Sequence, residues 1–330
     1  MSVDAAGSSG PSGPSVLPDY DDLPPGPAGG RLGWGVLGDG DLGAIALLTP
    51  ERVAAAAALV TRGVRFPLDV PTNFYDPALI PTRGTGRHTV LAPEGGLGMD
   101  DVWDNVYPQA GSQWDSLAHV GHADGQWYGG ATRTDILDGG RNSIHRWAEH
   151  GIAGRAVLLD LPSTFAAQGR PYDAGTAVAY SVADLEAARE RAGVTIREGD
   201  ILLIHTGFGS WYQQLPVAAR RALPRQLACP GIEHSEEMAR YLWNLHVAVV
   251  ASDTFAVEVW PADFSPAAAP FGFLHHMLIG SFGLALGELW WLADAAADCL
   301  ETGVHEGLLV AAPINAVGGI GSTANAVLLK

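Results

Sequence analysis

The chain has 330 residues, of which 47% are hydrophobic and 17% charged, and this composition allows a large buried core and excludes a chain that is disordered throughout. Its formal net charge is −17, from 36 acidic and 19 basic residues, so no basic stripe is available to bind nucleic acid or an anionic membrane. The longest uninterrupted apolar run, residues 53–60, is far shorter than the roughly 20 residues of a membrane span, which excludes an integral membrane protein.

The first 30 residues differ in composition from the rest. They are dominated by Gly, Ser, Pro, Ala and Asp and contain almost no large apolar side chains. Such a segment cannot bury enough surface to offset its ordering entropy, so the sequence predicts a flexible tail over residues 1–30. From Trp34 onward no second low-complexity break and no internal repeat occurs, so residues 31–330 are predicted to form one domain with long loops.

Helix and strand signals alternate along this domain. Helices are predicted after the N-cap residues Thr49, Ser181 and Ser235, and Gly63 and Gly193 end the first two of them. Strands are predicted at 155–161, 200–206, 247–252 and 308–314, and their nearly continuous apolar character indicates a sheet buried on both faces. Residues 71–98, rich in Pro, Gly and Thr, are predicted to form long loops or an irregular ribbon. The fold class is therefore α/β.

Several common enzyme motifs are absent or out of context. Residues 33–38 match GxGxxG, but they follow the predicted tail instead of a strand, so a dinucleotide site is not expected. The sequence contains no GxSxG, HExxH, Walker or SxxK motif. The sequence therefore does not indicate the common classes of serine-nucleophile enzymes and zinc proteases that these motifs identify.

The two cysteines, Cys229 and Cys299, have no CxxC spacing and are too few for a disulfide framework. They are expected to be free thiols in a reducing compartment. The N-terminus also lacks a basic region followed by an apolar core, the pattern of a secretory signal. A cytoplasmic location is therefore expected.

Two segments are dense in chemically active side chains. Residues 109–122 place two amides, one carboxylate and two imidazoles close together: Gln109, Gln113, Asp115, His119 and His122. A second segment carries the neighbouring histidines His275 and His276, followed by Glu288 among small and apolar residues. Buried His and Glu need polar partners in such surroundings, because unpaired polar burial is costly.

On these segments the chain resembles the cyclase superfamily of metal-dependent hydrolases, which includes bacterial kynurenine formamidase and isatin hydrolase. The hallmark of that family is His-x-Gly-Thr-His-x-Asp-x-Pro-x-His, followed later by a His and a Glu about a dozen residues apart. In this chain the hallmark aligns with Gln109, Gly111, Ser112, Gln113, Asp115, Leu117 and His119. The resemblance covers nearly all of the chain from Trp34 on, including residues 151–160, 199–207, 251–254 and 318–322.

The resemblance implies a swivelling β/β/α fold, a homodimer, and a zinc or manganese ion that activates water against an amide or lactone carbonyl of a small cyclic or aromatic molecule. It implies that Asp115 is a metal ligand, with Gln109, Gln113 and His119 as further candidates. It also implies that His119 moves protons and that His275 or His276 acts with Glu288.

The chain departs from the hallmark at both metal-binding histidines, which are Gln109 and Gln113 here. An amide oxygen is a weaker donor than imidazole, so three alternatives follow. An altered site binds manganese, magnesium or zinc through Asp115 with His119, His122 or His275. Alternatively, the protein is a metal-independent cyclase or lyase in which His119 and Glu288 exchange protons. The third alternative is a non-catalytic binding protein on the same scaffold.

Other site residues are assigned by their position. His119 lies four residues after Asp115, so on a helical turn the carboxylate would orient the imidazole. His275 and His276 are neighbours, whose side chains would point about 100° apart on a helix, so one of them is expected to reach the site. Candidate substrate-binding residues, which include an aromatic wall, are Trp114, Trp127, Tyr128 and Gln113.

Overall fold

Nine strands form one mixed sheet at the centre of the computed structural model, which describes residues 16–38 and 40–330. The strands of this described chain are β1 (Arg65–Pro67), β2 (Arg87–Leu91), β3 (Asp100–Asp104), β4 (Gln113–Asp115), β5 (Ile152–Asp160), β6 (Ala179–Tyr180), β7 (Ile201–His205), β8 (Gly231–Ile232), β9 (Val249–Ser252), β10 (Ala285–Glu288), β11 (Glu306–Ala311), β12 (Gly321–Thr323) and β13 (Ala326–Leu329). Its α-helices are α1 (Pro50–Ala57), α2 (Arg133–Gly139), α3 (His145–His150), α4 (Leu161–Ala167), α5 (Val182–Ala192), α6 (Phe208–Gln214), α7 (Val217–Ala222), α8 (Glu236–Asn244), α9 (His275–Leu278) and α10 (Ala293–Thr302).

The strand order of the large sheet is β1-β13-β11-β5-β7-β9-β10-β4-β12. The four central strands β5, β7, β9 and β10 are parallel, and the outer pairs are antiparallel. The central strands are buried almost throughout, because helices such as α1, α4, α5 and α10 pack on the sheet. The predictions of an α/β fold and of a sheet buried on both faces are confirmed.

The predicted helix starts are confirmed by their caps. The Thr49 hydroxyl accepts the backbone N–H of Arg52 at the start of α1. Ser181 and Asp184 form a reciprocal capping box at the start of α5, and Gly193 ends that helix with a φ of 66°. The left-handed conformation of Gly193 explains why glycine stands at that helix end.

The N-terminal prediction is wrong for residues 16–30, whereas residues 1–15 lie outside the described residues. Tyr20 and Leu23 are buried in the core, at 0% and 2% exposure. The Tyr20 backbone N–H donates to Asn244 on α8, and its hydroxyl donates to Glu236 on the same helix. Two large side chains and their hydrogen bonds are therefore enough to dock a segment whose average composition is that of a tail.

Two further predictions concern loops. The first strand of the described chain begins at Arg65, so the GxGxxG match at 33–38 follows no strand there and has no dinucleotide-binding context. Residues 71–98 are irregular as predicted up to β2, which pairs with β3 as an antiparallel ribbon.

Among the described residues no helix combines the length and apolar character that crossing a membrane requires. Cys229 and Cys299 are both free and buried.

Candidate active site

Strand β4 directs two polar side chains to one face of the sheet. Side chains alternate along a strand, so Gln113 and Asp115 point to one face and Trp114 to the other. The register of β4 with β10 sets Gln113 opposite Glu288. Residues directly opposite in a sheet share a face, so these three polar side chains meet on the same face.

A buried cluster of two carboxylates and one imidazole lies there. Asp115, His275 and Glu288 are each at most 3% exposed. One ligand atom from each lies within 4.8 Å of the other two. The short helix α9 begins at His275, whose Nε2 atom is 3.0 Å from Oε1 of Glu288. Three of the residues predicted from the sequence are thus brought together.

The Gln113 side chain bridges the two carboxylates. Its Nε2 donates to Oε2 of Glu288 at 2.7 Å and lies 3.3 and 3.2 Å from Oδ1 and Oδ2 of Asp115. Its Oε1 atom is buried and has no hydrogen-bond partner among the described residues. A buried acceptor without a partner costs free energy, so Gln113 holds an unused acceptor in the cluster.

Glu258 holds His275 from the side opposite Glu288. The His275 Nδ1–H donates to Oε1 of Glu258 at 2.5 Å, and the backbone N–H groups of Leu274 and His275 also donate to this carboxylate. His234 Nε2 lies 3.2 Å from its other oxygen. A partner of this kind fixes the orientation of an imidazole. The sequence prediction missed Glu258, although a charged residue between Val257 and Val259 in an apolar run indicates a buried partner.

Negative charge exceeds positive charge in this cluster. Burial alone would lower the pKa of His275, but hydrogen bonds to Glu258 and Glu288 raise that pKa to about 10. Burial and the neighbouring charge of Asp115 raise the pKa of Glu288. Burial opposes the ionisation of Glu258, yet hydrogen bonds from His234 and His275 hold its pKa below the ordinary value. Three buried carboxyl groups therefore surround one imidazolium.

His119 lies at the margin of the cluster. Its Nε2 is 3.7 Å from Oδ1 of Asp115, and its side chain is 22% exposed. The expected helical turn is wrong, because Asp115 ends strand β4 and a turn follows, in which the His119 N–H donates to the Ser116 carbonyl. This turn brings the imidazole back beside the carboxylate, so the two residues meet for a different geometric reason.

His276 and His122 lie outside the cluster that Asp115, His275 and Glu288 form. The His276 Nδ1–H donates to the Gly121 carbonyl at 2.7 Å. His122 Nδ1 lies 3.2 Å from Asp124, and its ring packs edge-on against Trp34 at 6.5 Å between centroids. Of the two neighbouring histidines, His275 therefore faces Glu288.

The predicted aromatic wall is not assembled from the residues named for it. Trp114 is 0% exposed and packs in the core between Trp147 and Trp290, because strand alternation turns it away from Asp115. The Trp127 indole N–H donates to the Ala118 carbonyl, and its ring packs on a small cluster with Ala118. Tyr128 is 2% exposed and belongs to the main core. The prediction of a substrate wall is wrong for Trp114 and Tyr128, which are core residues.

Different aromatic side chains lie beside the cluster. The Phe273 ring stacks on His275, with centroids 4.4 Å apart and planes 6° from parallel. Phe264 is 64% exposed, and its ring centroid lies 5.1 Å from that of Phe273. These two rings form an aromatic surface that extends from the buried imidazole to solvent. No periodicity in the sequence marks them, since the loop before α9 brings them there.

Gln109 lies in a short 3₁₀ turn, residues Pro108–Ala110, before β4. Its side-chain amide lies against Gly321 of β12, where an added Cβ would approach Nε2 within 2.3 Å. Its backbone carbonyl accepts a hydrogen bond from Arg83, whose positive charge opposes the rise that burial causes in the pKa of Glu288. The role of Gln109 as a metal ligand stays a prediction.

The donor atoms of the cluster fit a divalent cation. Asp115 and Glu288 supply carboxylate oxygens, His275 supplies an imidazole, and Gln113 has an unused amide oxygen. Oxygen donors with one imidazole suit Mn²⁺ and Mg²⁺ better than they suit Zn²⁺, which prefers more nitrogen or sulfur donors. The excess of buried negative charge would be offset by such an ion.

Comparisons with known proteins agree with this fold. The family model described as "Putative cyclase" matches residues 69–259, which is more than half of the chain. A solved structure described as a novel cyclase is 28% identical with a TM-score of 0.78, covering 96% of this chain and 100% of the other.

Isatin hydrolases are similar in fold. Isatin hydrolase A from Labrenzia aggregata, bound to benzyl benzoate, is 15% identical with a TM-score of 0.58, covering 85% of this chain and 97% of the other. The enzyme from Ralstonia solanacearum is 17% identical with a TM-score of 0.57, covering 84% and 96%. No curated protein matches the chain. Since the family model matches more than half of the chain, the chain belongs to the cyclase family.

Proposed function

We propose that the protein is a hydrolase that cleaves an amide or lactone bond of a small cyclic or aromatic molecule with the help of a divalent metal ion. The observation that carries this proposal is the buried Asp115, His275 and Glu288 cluster, with His119 beside it at the solvent margin. Membership of the cyclase family and the fold likeness to isatin hydrolases support a reaction at a carbonyl group.

Asp115, His275 and Glu288 would hold the ion, and manganese is the first candidate because two of these three ligands are carboxylates. A bound divalent ion supplies a Lewis acid that makes water more acidic and polarises a carbonyl. Glu258 keeps Nε2 of His275 directed at Glu288 by holding its Nδ1–H. Gln113 holds the two carboxylates in register by donating to both.

His119 is the proton carrier in this proposal. Its Nε2 lies 3.7 Å from Asp115 Oδ1, so the imidazole stands at the edge of the cluster, where it can take a proton from water. The same nitrogen then returns the proton to the leaving nitrogen or oxygen of the substrate. The partial exposure of the His119 side chain lets it exchange protons with solvent between cycles.

The substrate class follows from the surroundings of the cluster. Phe273 and Phe264 offer an aromatic surface beside His275, which suits a ring-bearing molecule. Arg83 donates to the backbone carbonyl of Gln109 just before β4, and its positive charge suits the carboxylate that opening of an amide or lactone produces.

The test combines metal analysis with a substrate screen. The metal content per chain is measured by elemental analysis of untagged protein prepared without chelator, after incubation with manganese or zinc. Formamides and lactones with and without aromatic rings are then screened. Near-stoichiometric metal and turnover are expected in the wild type, and Asp115→Ala should lose both. The matched control is Asp263→Asn, which removes an exposed carboxylate outside the cluster.

Two results would contradict the proposal. One is a wild type that binds no manganese or zinc under these conditions. The other is an Asp115→Ala protein that keeps full turnover on a substrate identified with the wild type.

A second candidate function is metal-independent acid–base chemistry, in a cyclase or lyase. The observation that favours it is the network in which Gln113 Nε2 donates to both Asp115 and Glu288 while His275 joins Glu288 to Glu258. This network compensates the carboxylates with neutral and imidazolium donors. Turnover that survives complete chelation and that is lost in Glu288→Gln would select this function over the first.

A further inference from the structure

Three buried residues beside the cluster have a left-handed backbone conformation. The φ angle is 68° at Ala256, 56° at Val257 and 55° at Leu289. Val257 directly precedes Glu258, and Leu289 directly follows Glu288. This conformation costs free energy in any residue other than glycine, and it is most unusual in a β-branched residue such as Val257. It persists only where the surrounding structure imposes it, so the contacts around these residues must do so here.

The chain that carries Glu258 is tied down where it begins. We call residues 254–260 the Glu258 segment. The Leu289 N–H donates to the Thr254 carbonyl at 3.1 Å, and the Leu289 carbonyl accepts the Ser112 hydroxyl at 2.6 Å. The start of the segment is therefore fixed relative to β4 and β10, the two strands that supply the other carboxylates of the cluster.

The far end of the Glu258 segment pairs with the chain around β8. The Ile232 N–H donates to the Val257 carbonyl at 3.2 Å, and the Val259 N–H donates to the Ile232 carbonyl at 2.9 Å. Trp260 and Cys229 exchange two backbone hydrogen bonds, at 3.0 and 3.3 Å. Because both ends of the segment are fixed, the residues between them have little freedom to leave the left-handed conformation.

A close backbone approach at Gly231 of β8 restricts the segment further. A Cβ atom at this position would lie 2.3 Å from the Glu258 carbonyl carbon and 2.5 Å from the Val257 oxygen. Both neighbours are backbone atoms, so a larger residue would have to displace the segment itself. Glycine at position 231 therefore allows the Glu258 backbone to lie directly against β8.

The position of the Glu258 backbone decides where its carboxylate lies. This carboxylate accepts the His275 Nδ1–H at 2.5 Å and the Leu274 backbone N–H, and His234 Nε2 lies 3.2 Å from its other oxygen. Glu258 is 0% exposed, so water does not replace these partners. A displaced Glu258 would lose the His275 contact, and the His275 ring would no longer be directed at Glu288.

We propose that Gly231 and the left-handed turn at Ala256 and Val257 are positioning residues, which act on the cluster through Glu258. The contacts at both ends hold the turn under strain, and the turn holds the carboxylate that orients His275. This inference rests on the proposed function only where it concerns metal binding. The orientation of His275 can be measured whatever reaction the protein catalyses.

The test follows the His275 Nδ1–H proton by NMR in the isotope-labelled full chain, with His275→Gln used to assign its signal. A proton held by a buried carboxylate should resonate far downfield and exchange slowly with solvent. Gly231→Ala should shift this signal and raise its exchange rate by about tenfold or more, because the added Cβ displaces Glu258. The matched control is Gly209→Ala in α6, a buried glycine whose added Cβ would meet its neighbours at 3.5 Å or more.

A second variant keeps the test decisive if Gly231→Ala does not fold. Glycine adopts the left-handed conformation without strain, so Ala256→Gly should keep the unfolding midpoint of the wild type. In contrast, Ala188→Gly in α5, where the residue is buried and helical, should lower that midpoint. The looser turn of Ala256→Gly should still exchange the His275 Nδ1–H faster than the wild type does.

Manganese binding, measured by equilibrium dialysis, gives a second readout. Gly231→Ala should weaken it by about 10- to 100-fold, the usual effect of losing a partner that orients a metal ligand. A wild type that binds no manganese would contradict the proposed function, and the NMR comparison would still decide the positioning role.

Three results would overturn the positioning role. One is a wild type in which the His275 Nδ1–H is not protected from exchange. Another is a folded Gly231→Ala protein whose His275 signal and exchange rate are those of the wild type. Where Gly231→Ala does not fold, unchanged exchange in Ala256→Gly has the same meaning.

Discussion

The Nε2 atom of Gln113 lies 2.7 Å from Oε2 of Glu288, and the same atom is 3.2 Å from Oδ2 of Asp115. One neutral amide thus donates to two buried carboxylates that would otherwise repel each other. In the family hallmark that the sequence resembles, a metal-binding histidine stands at this position. With glutamine at this position, the side chain donates hydrogen bonds to the Asp115 and Glu288 carboxylates and keeps an amide oxygen in place of the imidazole nitrogen.

Restoring the histidine should change metal preference. We expect Gln113→His to raise zinc occupancy and to strengthen zinc binding relative to manganese, because an imidazole adds a nitrogen ligand beside Asp115 and His275. The measurement is zinc and manganese per chain after incubation with equal amounts of both ions. Gln168→His, which adds a histidine at an exposed position after α4, is the matched control. An unchanged ratio of zinc to manganese would contradict the expectation.

Removal of the His119 imidazole should slow the reaction without unfolding the protein. We expect His119→Gln to lower kcat by about 10² to 10⁴, the usual contribution of a positioned proton carrier. Metal content and thermal unfolding should stay the same, since the side chain is partly exposed and lies beyond hydrogen-bond distance of Asp115. The matched control is His276→Gln, because His276 contacts the Gly121 carbonyl and should tolerate the change with little loss of kcat. Equal losses in both variants would argue against a specific role for His119.

Much of the fold could be predicted because its signals are local. The caps at Thr49 and Ser181 and the apolar strand runs report interactions within a few residues, so α1, α5 and the central strands follow from the sequence. The docking of Tyr20 on α8 could not be predicted in this way. It depends on Asn244 and Glu236, which are more than 200 residues away in the chain.

The site was predicted in part for the same reason. Asp115, Glu288 and a histidine were implied by the resemblance to the cyclase family, yet the choice of His275 over His276 depends on where α9 begins. Trp114 was placed in the substrate wall by its nearness in sequence, but strand alternation turns it into the core. Glu258 belongs to no motif, and its role arises from long-range contact with His275.

His205, which lies outside the candidate active site, should make the free energy of unfolding depend on pH. His205 ends β7, and its Nδ1–H donates to Asp160 at 2.9 Å, while its Nε2 lies 3.8 Å from Asp253. Burial lowers the pKa of His205, but the charge of Asp253 and the hydrogen bond to Asp160 outweigh this and raise it. Tyr172, also near these carboxylates, has a raised pKa and stays neutral.

The sign of the effect follows from the raised pKa. The folded state binds the His205 proton more tightly than the unfolded state, so this stabilisation is fully present below the ordinary pKa of about 6.5 and is lost as pH rises through the folded pKa. His205→Gln should lower the free energy of unfolding by about 1.5–3 kcal/mol at pH 6, and by less at pH 9. Urea unfolding at both pH values checks this, with the exposed His150→Gln as control. A loss that is the same at both pH values would contradict the assignment.

The aromatic surface beside His275 gives a prediction about substrate choice. Phe264 is 64% exposed and contacts Phe273, so its removal should cost little stability. An aromatic pair contributes about 0.5–1.5 kcal/mol, so Phe264→Ala should raise KM for ring-bearing substrates about 2- to 12-fold, with kcat nearly unchanged. Substrates without a ring should show no such increase, because they lack the stacking contact. Leu137→Ala, a similarly exposed position on α2, serves as control, and an equal rise in KM for both substrate types would show that the two phenylalanines do not recognise the ring.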